Sequence, residues 1–225
     1  MKISLRSELP QIVLIAVMFA LAAITWPSAP DRIATHWNLH GQVDGYGGKF
    51  SGLLLLPLLA LGLYLLLLLL PLLDPGRANY RNFARAYTII RLAVLVLLAA
   101  IYGVTILWIH GIELDMARVV PVLLGLLFIA IGSVLGKVRP NWFVGIRTPW
   151  TLSSKRSWVK THRLGGYLFV LAGFTLVVAG LITSTALFPV VFGLLIALTL
   201  VLVAYSYVQW RRDPEKQPPS GSLPG

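Results

Sequence analysis

Two stretches of the chain hold most of the side chains able to do chemistry. The first, Thr35–Lys49 (THWNLHGQVDGYGGK), carries His36, His40 and Asp44, donor types that bind divalent transition metals. Their i, i+4, i+8 spacing would align them on a helix, but Gly41 and the Asp44-Gly45 pair favour tight turns. No metal site is therefore assigned, and no cofactor is expected. The second stretch, Asn141–Gly166 (NWFVGIRTPWTLSSKRSWVKTHRLGG), carries Arg147, whose planar fork of donors suits a carboxylate or phosphate, and His162. It has no Asp or Glu to orient that imidazole, which leaves general acid–base chemistry without its second member. The chain has no cysteine, so thiol nucleophiles, thiolate metal sites and disulfides are excluded. It also lacks the P-loop, HExxH, GxSxG and CxxC patterns. The residues point to a non-enzymatic protein.

The elements that must carry these stretches are membrane helices. Of 225 residues, 57% are hydrophobic and 12% charged, against about 25% charged in a soluble domain. The apolar residues fall in six blocks, 10–27, 53–73, 90–109, 119–136, 166–184 and 188–208. Blocks of about 20 residues match the thickness of bilayer hydrocarbon. The expected fold is all-α, a polytopic bundle of six transmembrane helices. The first block follows Lys2 and Arg6 as a signal peptide would, but it is long for that role and ends at Trp26-Pro27 without a small-residue cleavage site. It is read as a membrane anchor.

The net charge of +11 has a topological meaning. With the N-terminus, the 74–89 loop, the 137–165 loop and the C-terminal tail on one side, all of the 19 Lys and Arg except Arg32, Lys49 and Arg118 fall there. Acidic residues divide evenly, so the asymmetry is specifically basic. The positive-inside rule makes that side cytoplasmic, with both termini inside and no direct nucleic-acid partner implied. Three units follow. Residues 1–110 form a three-helix membrane domain with an external loop at 28–52. Residues 111–208 form a second one with a cytoplasmic loop at 137–165, and 209–225 form a Pro/Gly/Ser-rich tail expected to be disordered.

The helices are nearly free of ionisable groups. Arg91, near the cytoplasmic start of the third, is expected to snorkel its guanidinium to the headgroups. No Asp, Glu or Lys lies near a helix midpoint, which counts against ion-coupled transport and proton pumping. Gly62, Gly125, Gly132, Gly173 and Gly180 are expected to permit close helix packing. In the cytoplasmic loop, Pro149 disfavours helix at Thr148. Thr151, Ser153 or Ser154 would then cap a short interfacial amphipathic helix running to His162. On it Trp158 and His162 are i, i+4 neighbours, and Lys155, Arg156, Lys160 and Arg163 meet anionic lipids. Topology alone also accounts for basic residues there.

Both stretches carry a resemblance. Thr35–Lys49 is similar to the signature of a small membrane domain that often precedes SdpI-like domains, and Asn141–Gly166 resembles the signature of the SdpI family itself. That family comprises bacterial membrane proteins; its named member confers immunity to a secreted killing peptide and holds a cytoplasmic transcriptional repressor at the membrane. The resemblance implies a multi-pass protein of the bacterial cell membrane. It implies a toxin-facing external site at His36, Trp37, Asn38, Gly41, Asp44 and Gly45. It also implies a cytoplasmic motif at Arg147, Thr148, Pro149, Trp150, Ser153, Trp158, His162, Arg163 and Gly166. The expected partners are a secreted peptide toxin, a cytoplasmic repressor protein and anionic lipids. The alternatives are a transporter or lipid-handling protein, for which Tyr64, Tyr102, Thr105, Ser133, Thr175 and Thr199 would have to share a lumen, and a lipid-headgroup enzyme using Arg147, His162 and Arg163.

Overall fold

In hydrocarbon every backbone polar group must find its partner within its own segment, so uninterrupted apolar blocks become helices. The computed structural model describes residues 5–38, 40–182 and 187–217, leaving out the side chains of 187–190. Its order is α1 (Leu5–Thr25), a hairpin of β1 (Ile33–Trp37) and β2 (Val43–Gly47), and a π-helical turn (Phe50–Leu54) that leads into α2 (Leu55–Leu73). A 3₁₀ segment (Arg77–Phe83) then opens α3 (Ala84–Ile109). It is followed by α4 (Met116–Leu135), the one-turn α5 (Pro149–Leu152), α6 (Lys155–Ile182) and α7 (Leu187–Arg211). Six of these helices are long and apolar enough to cross a bilayer among the described residues. Their outer surfaces are leucine-rich and exposed, as at Leu65, Leu66, Leu69, Leu72 and Leu73, and water would not tolerate so large a contiguous patch. The chain is a multi-pass membrane protein.

Helices α1, α2 and α3 pack around Ile15, Met18, Ala22, Ala60 and Leu95. The hairpin closes one end of that core, burying Ile33 beside Leu53. A Cβ at Gly52 would lie 2.7 Å from Ile33, so glycine is what lets the strand approach the helix start. At the opposite end a second core joins the 3₁₀ segment and the start of α3 (Tyr80, Phe83, Ala86, Tyr87) to the end of α4 and the start of α6 (Val134, Leu135, Val138, Trp158).

Helices α4 and α6 run antiparallel and pack almost backbone to backbone. A Cβ at Gly125 would stand 2.6 Å from the Gly173 carbonyl oxygen, and one at Gly132 would stand 2.8 Å from that of Gly166. At Gly180 the nearest atom is the Arg118 carbonyl oxygen, at 2.8 Å. The heptad spacing of Gly166, Gly173 and Gly180 keeps small residues on one face, as close membrane packing needs. Four of the five glycines expected to pack closely do so. Gly62 has nothing within 4 Å of its would-be Cβ and faces open space.

Three expectations change. Arg91 does not snorkel. It is fully buried and paired with Glu8 of α1, Nη2 to Oε2 2.7 Å and Nη1 to Oε1 3.3 Å, and Tyr64 and Tyr87 flank the guanidinium at 5.5 and 5.7 Å. Helix α1 begins at Leu5 rather than at 10, which brings Glu8 inside the helix and opposite α3. The short interfacial helix also does not exist as a separate element: residues 155–182 form one continuous helix, and Trp158 and His162 face the core rather than lipid. Finally, the tail is not disordered from 209. Helix α7 runs to Arg211, Asp213 is buried against Ser154, and the Gln217 amide donates to the Ser153 carbonyl at 3.0 Å. Residues 218–225 lie outside the described residues.

Candidate functional site

The hairpin end is built by turns. Asn38 shapes the reversal, its Oδ1 accepting from the amides of His40 (2.9 Å) and Gln42 (3.1 Å). Gly41 has a positive φ of 76°, and a Cβ there would lie 2.9 Å from Asp115 Oδ1, so the turn rests against the start of α4. Asp115 caps that helix, accepting from the Ala117 amide at 3.0 Å, and pairs with Arg118. Gly45 makes room for His36 across the strands, where a Cβ would come within 2.8 Å of the imidazole-bearing Cβ. Trp37 is half-buried. Of the expected external residues, Trp37, Asn38, Gly41 and Gly45 thus shape the hairpin, while His36 and Asp44 are presented outward and meet at 2.5 Å. His40 is exposed and stands apart from them; no cluster of metal-binding side chains forms among the described residues. Beside the pair, Tyr46 lies on the same strand face as Asp44, with the Arg32 guanidinium 4.8 Å above its ring and Trp108 edge-on at 6.2 Å.

The opposite end is a dense polar network. Asn141 uses its whole amide: Oδ1 accepts from the amides of Phe143 (2.9 Å) and Val144 (2.6 Å), and Nδ2 donates to the carbonyls of Arg139 (2.8 Å) and Val144 (2.9 Å). Gly145 follows with φ 115°, and a Cβ there would strike His162 Nε2 at 2.3 Å. His162 and Trp158, one helical turn apart on α6, hold both ends of this loop. His162 Nε2 accepts from the Ile146 amide at 2.9 Å, which assigns its proton to Nδ1, 2.8 Å from the Trp158 carbonyl. The two rings stack at 4.1 Å, and Trp158 Nε1 donates to the Val138 carbonyl at 2.9 Å. Thr148 and Thr151 form a reciprocal capping box around Pro149. The Thr148 hydroxyl meets Ser206 of α7 at 3.0 Å, and Trp150 packs edge-on against Tyr207. Ser154 caps α6 through the Ser157 amide, as one of the three expected capping residues.

Two carboxylates enter this network from distant parts of the chain. Asp74, at the end of α2, accepts from the Gly76 amide (2.6 Å), the Tyr80 hydroxyl (2.8 Å) and the Trp142 amide (3.1 Å). Asp213, just after α7, accepts from the Ser154 hydroxyl. Sequence reasoning missed both, because the loop itself contains no acid. The signal was their position, Asp74 one residue past the end of α2 and Asp213 two residues past the end of α7.

The motif expected to face the cytoplasm therefore sorts into buried and exposed residues. Thr148, Ser153, Trp158, His162 and Gly166 are buried structure, and Trp150 is half-buried. Arg147, Pro149 and Arg163 are exposed; Arg147 is steadied by a 2.6 Å bond to the Trp142 carbonyl. His162 is sealed with both ring nitrogens engaged, so Arg147, His162 and Arg163 do not converge as a reaction centre. The lumen that transport would need is also not formed by its candidate residues. Tyr64, Tyr102 and Thr105 are buried in the first three helices, whereas Ser133, Thr175 and Thr199 are exposed and bond back to their own helices.

With this geometry in view, residues 137–206 match the model of the SdpI/YfhL protein family. Over that stretch the chain is similar to SdpI-family proteins. Residues 13–61 match a second model, described as a domain of unknown function, DUF1648. The SdpI-family match begins at the loop pinned by Trp158 and His162 and takes in α6 and most of α7; the DUF1648 match takes in most of α1, the hairpin and the start of α2. The chain is also similar to the immunity protein SdpI of Bacillus subtilis (strain 168), 22% identical over 205 residues that cover 90% of this chain and 96% of that one. No solved structure matches it.

Proposed function

We propose that this protein is an immunity protein of the bacterial cell membrane, protecting against a secreted antimicrobial peptide. The observation that carries the reading is the similarity to an immunity protein along 96% of that relative's length, which includes both motif-bearing ends. In this reading the basic end faces the cytoplasm and the hairpin faces out. The outward face of the hairpin sets the His36–Asp44 pair beside the Tyr46 ring. An amphipathic peptide with a basic group and an apolar side chain matches that combination of carboxylate and aromatic surface.

The inner end would then serve as the relay. Its exposed cations, among them Arg139, Arg147, Lys155, Arg156 and Lys160, surround a loop whose partner carboxylates Asp74 and Asp213 are buried. Such a face suits an acidic patch on a cytoplasmic repressor. Helix α4 touches the hairpin turn at Asp115 and ends in the motif loop, so it joins the two ends. A peptide signals through it only by favouring one arrangement of the two ends over another.

The test is survival of a sensitive bacterial strain expressing this chain and challenged with killing peptides. Protection is expected, and Asp44→Ala or Tyr46→Ala, at equal membrane abundance, is expected to remove it. An absence of protection against every peptide tried would overturn the immunity reading. Full protection by both variants would remove the hairpin from it.

A further inference from the structure

Where the basic end meets the apolar span, α4 and α6 leave a recess of about 450 Å³ between them. Its floor is made by Gly132 and Gly136 of the α4 side and Gly166 of α6, residues too small to fill the space. Lys137 and Arg163 stand at its rim, and both side chains are exposed with no hydrogen bond or ion pair among the described residues. Its far wall is Val170, seven residues or about 10 Å along α6 from Arg163. No carboxylate lines it, and the sequence has no Asp or Glu between Asp115 and Asp213. Tyr167, on the open side, is 70% exposed, so the recess opens sideways toward lipid rather than into the bundle.

We infer that this recess binds the phosphate headgroup of an anionic phospholipid, with the phosphate between Lys137 and Arg163 and the glycerol and first acyl carbons against Gly166 and Val170. The gradient carries the assignment. Two unpaired cations meet an apolar wall within the length of one headgroup and glycerol, at the depth where the helix ends reach the interface. A free phosphate would use the cations and leave the apolar wall bare. A phospholipid uses both. The arginine supplies a planar fork for phosphate oxygens and the lysine a mobile point charge. Each cation at headgroup level is worth on the order of a five-fold preference for an anionic over a zwitterionic lipid, so the pair sets an enrichment on the order of twenty-five-fold at most.

The test is native mass spectrometry of the full chain released from bilayers of phosphatidylcholine with a minor fraction of phosphatidylglycerol. The wild-type chain is expected to retain phosphatidylglycerol well above its bulk share. A Lys137→Gln/Arg163→Gln double variant is expected to lose that enrichment, and Lys155→Gln/Arg156→Gln, exposed cations outside the recess, to keep it. Gly136→Leu keeps every charge and fills the recess; its would-be Cβ meets nothing closer than 3.5 Å, so the helix accommodates it. It too is expected to lose the enrichment while its circular dichroism stays that of the wild type. Equal loss in both charge variants would reduce the effect to general surface charge and overturn the site. Retention in Gly136→Leu would do the same. Displacement of the lipid by inorganic phosphate alone would show a soluble-phosphate site instead.

Discussion

The Glu8–Arg91 pair invites a perturbation whose size follows from its surroundings. The guanidinium is fully buried seven residues into α3, between two tyrosine rings, and its one carboxylate partner arrives from a different helix 83 residues away. Glu8 is itself only 4% exposed. Removing one partner of such a pair leaves the other charge without compensation, at a cost of about 3–5 kcal/mol. Removing both leaves an apolar or weakly polar seam and costs far less than two such losses together. Glu8→Gln and Arg91→Met are each expected to lower the unfolding free energy by about 3 kcal/mol, and the double variant to recover at least about 2 kcal/mol of the summed loss. The assay is denaturant unfolding in a fixed detergent, followed by circular dichroism, as a double-mutant cycle. Losses that add to within about 0.5 kcal/mol would refute the reasoning, because independent sites add and a coupled pair does not.

Three further outcomes follow from how tightly individual positions are packed. Gly125→Val should destabilise the protein by about 1–3 kcal/mol or prevent folding, since its Cβ would lie 2.6 Å from a backbone oxygen that has no room to retreat. The paired Gly62→Ala, in open space, should be neutral or slightly stabilising in the same unfolding assay. His162→Leu should cost about 1–3 kcal/mol by stranding the Ile146 amide and freeing the Gly145 turn, read as faster proteolysis within 139–148 with α6 still helical.

The six helices were legible because length and apolarity are summed properties of a segment, and no single residue decides them. Their ends were not. Glu8 and Arg91 read as polar boundaries when each helix is taken alone, and they become interior residues only because the two meet. The loop helix failed for a related reason. Trp158 and His162 were correctly paired at i, i+4, but which face they turn inward depends on Val138 and Ile146, which offer a carbonyl and an amide for those rings to bond. Basic neighbours at 155, 156, 160 and 163 made the helix look interfacial; all four are exposed, while the two rings are buried. In the 35–49 segment the glycines announced turns, yet the strand pairing came from features that composition hides: Gly45 clearing space for His36 and Asn38 closing the reversal. Asp74 and Asp213 were invisible as site residues because nothing local links them to the loop they hold.

The proposed role requires the hairpin to face outward and the motif loop to face the cytoplasm, and the chain suits a labelling test because it has no cysteine. Single cysteines placed at Tyr46 and at Arg156, both exposed, would be labelled with a membrane-impermeant maleimide in intact cells and again after permeabilisation. Tyr46→Cys is expected to react in intact cells and Arg156→Cys only once the membrane is opened. The reverse pattern, or reaction of both in intact cells, would contradict the proposed role.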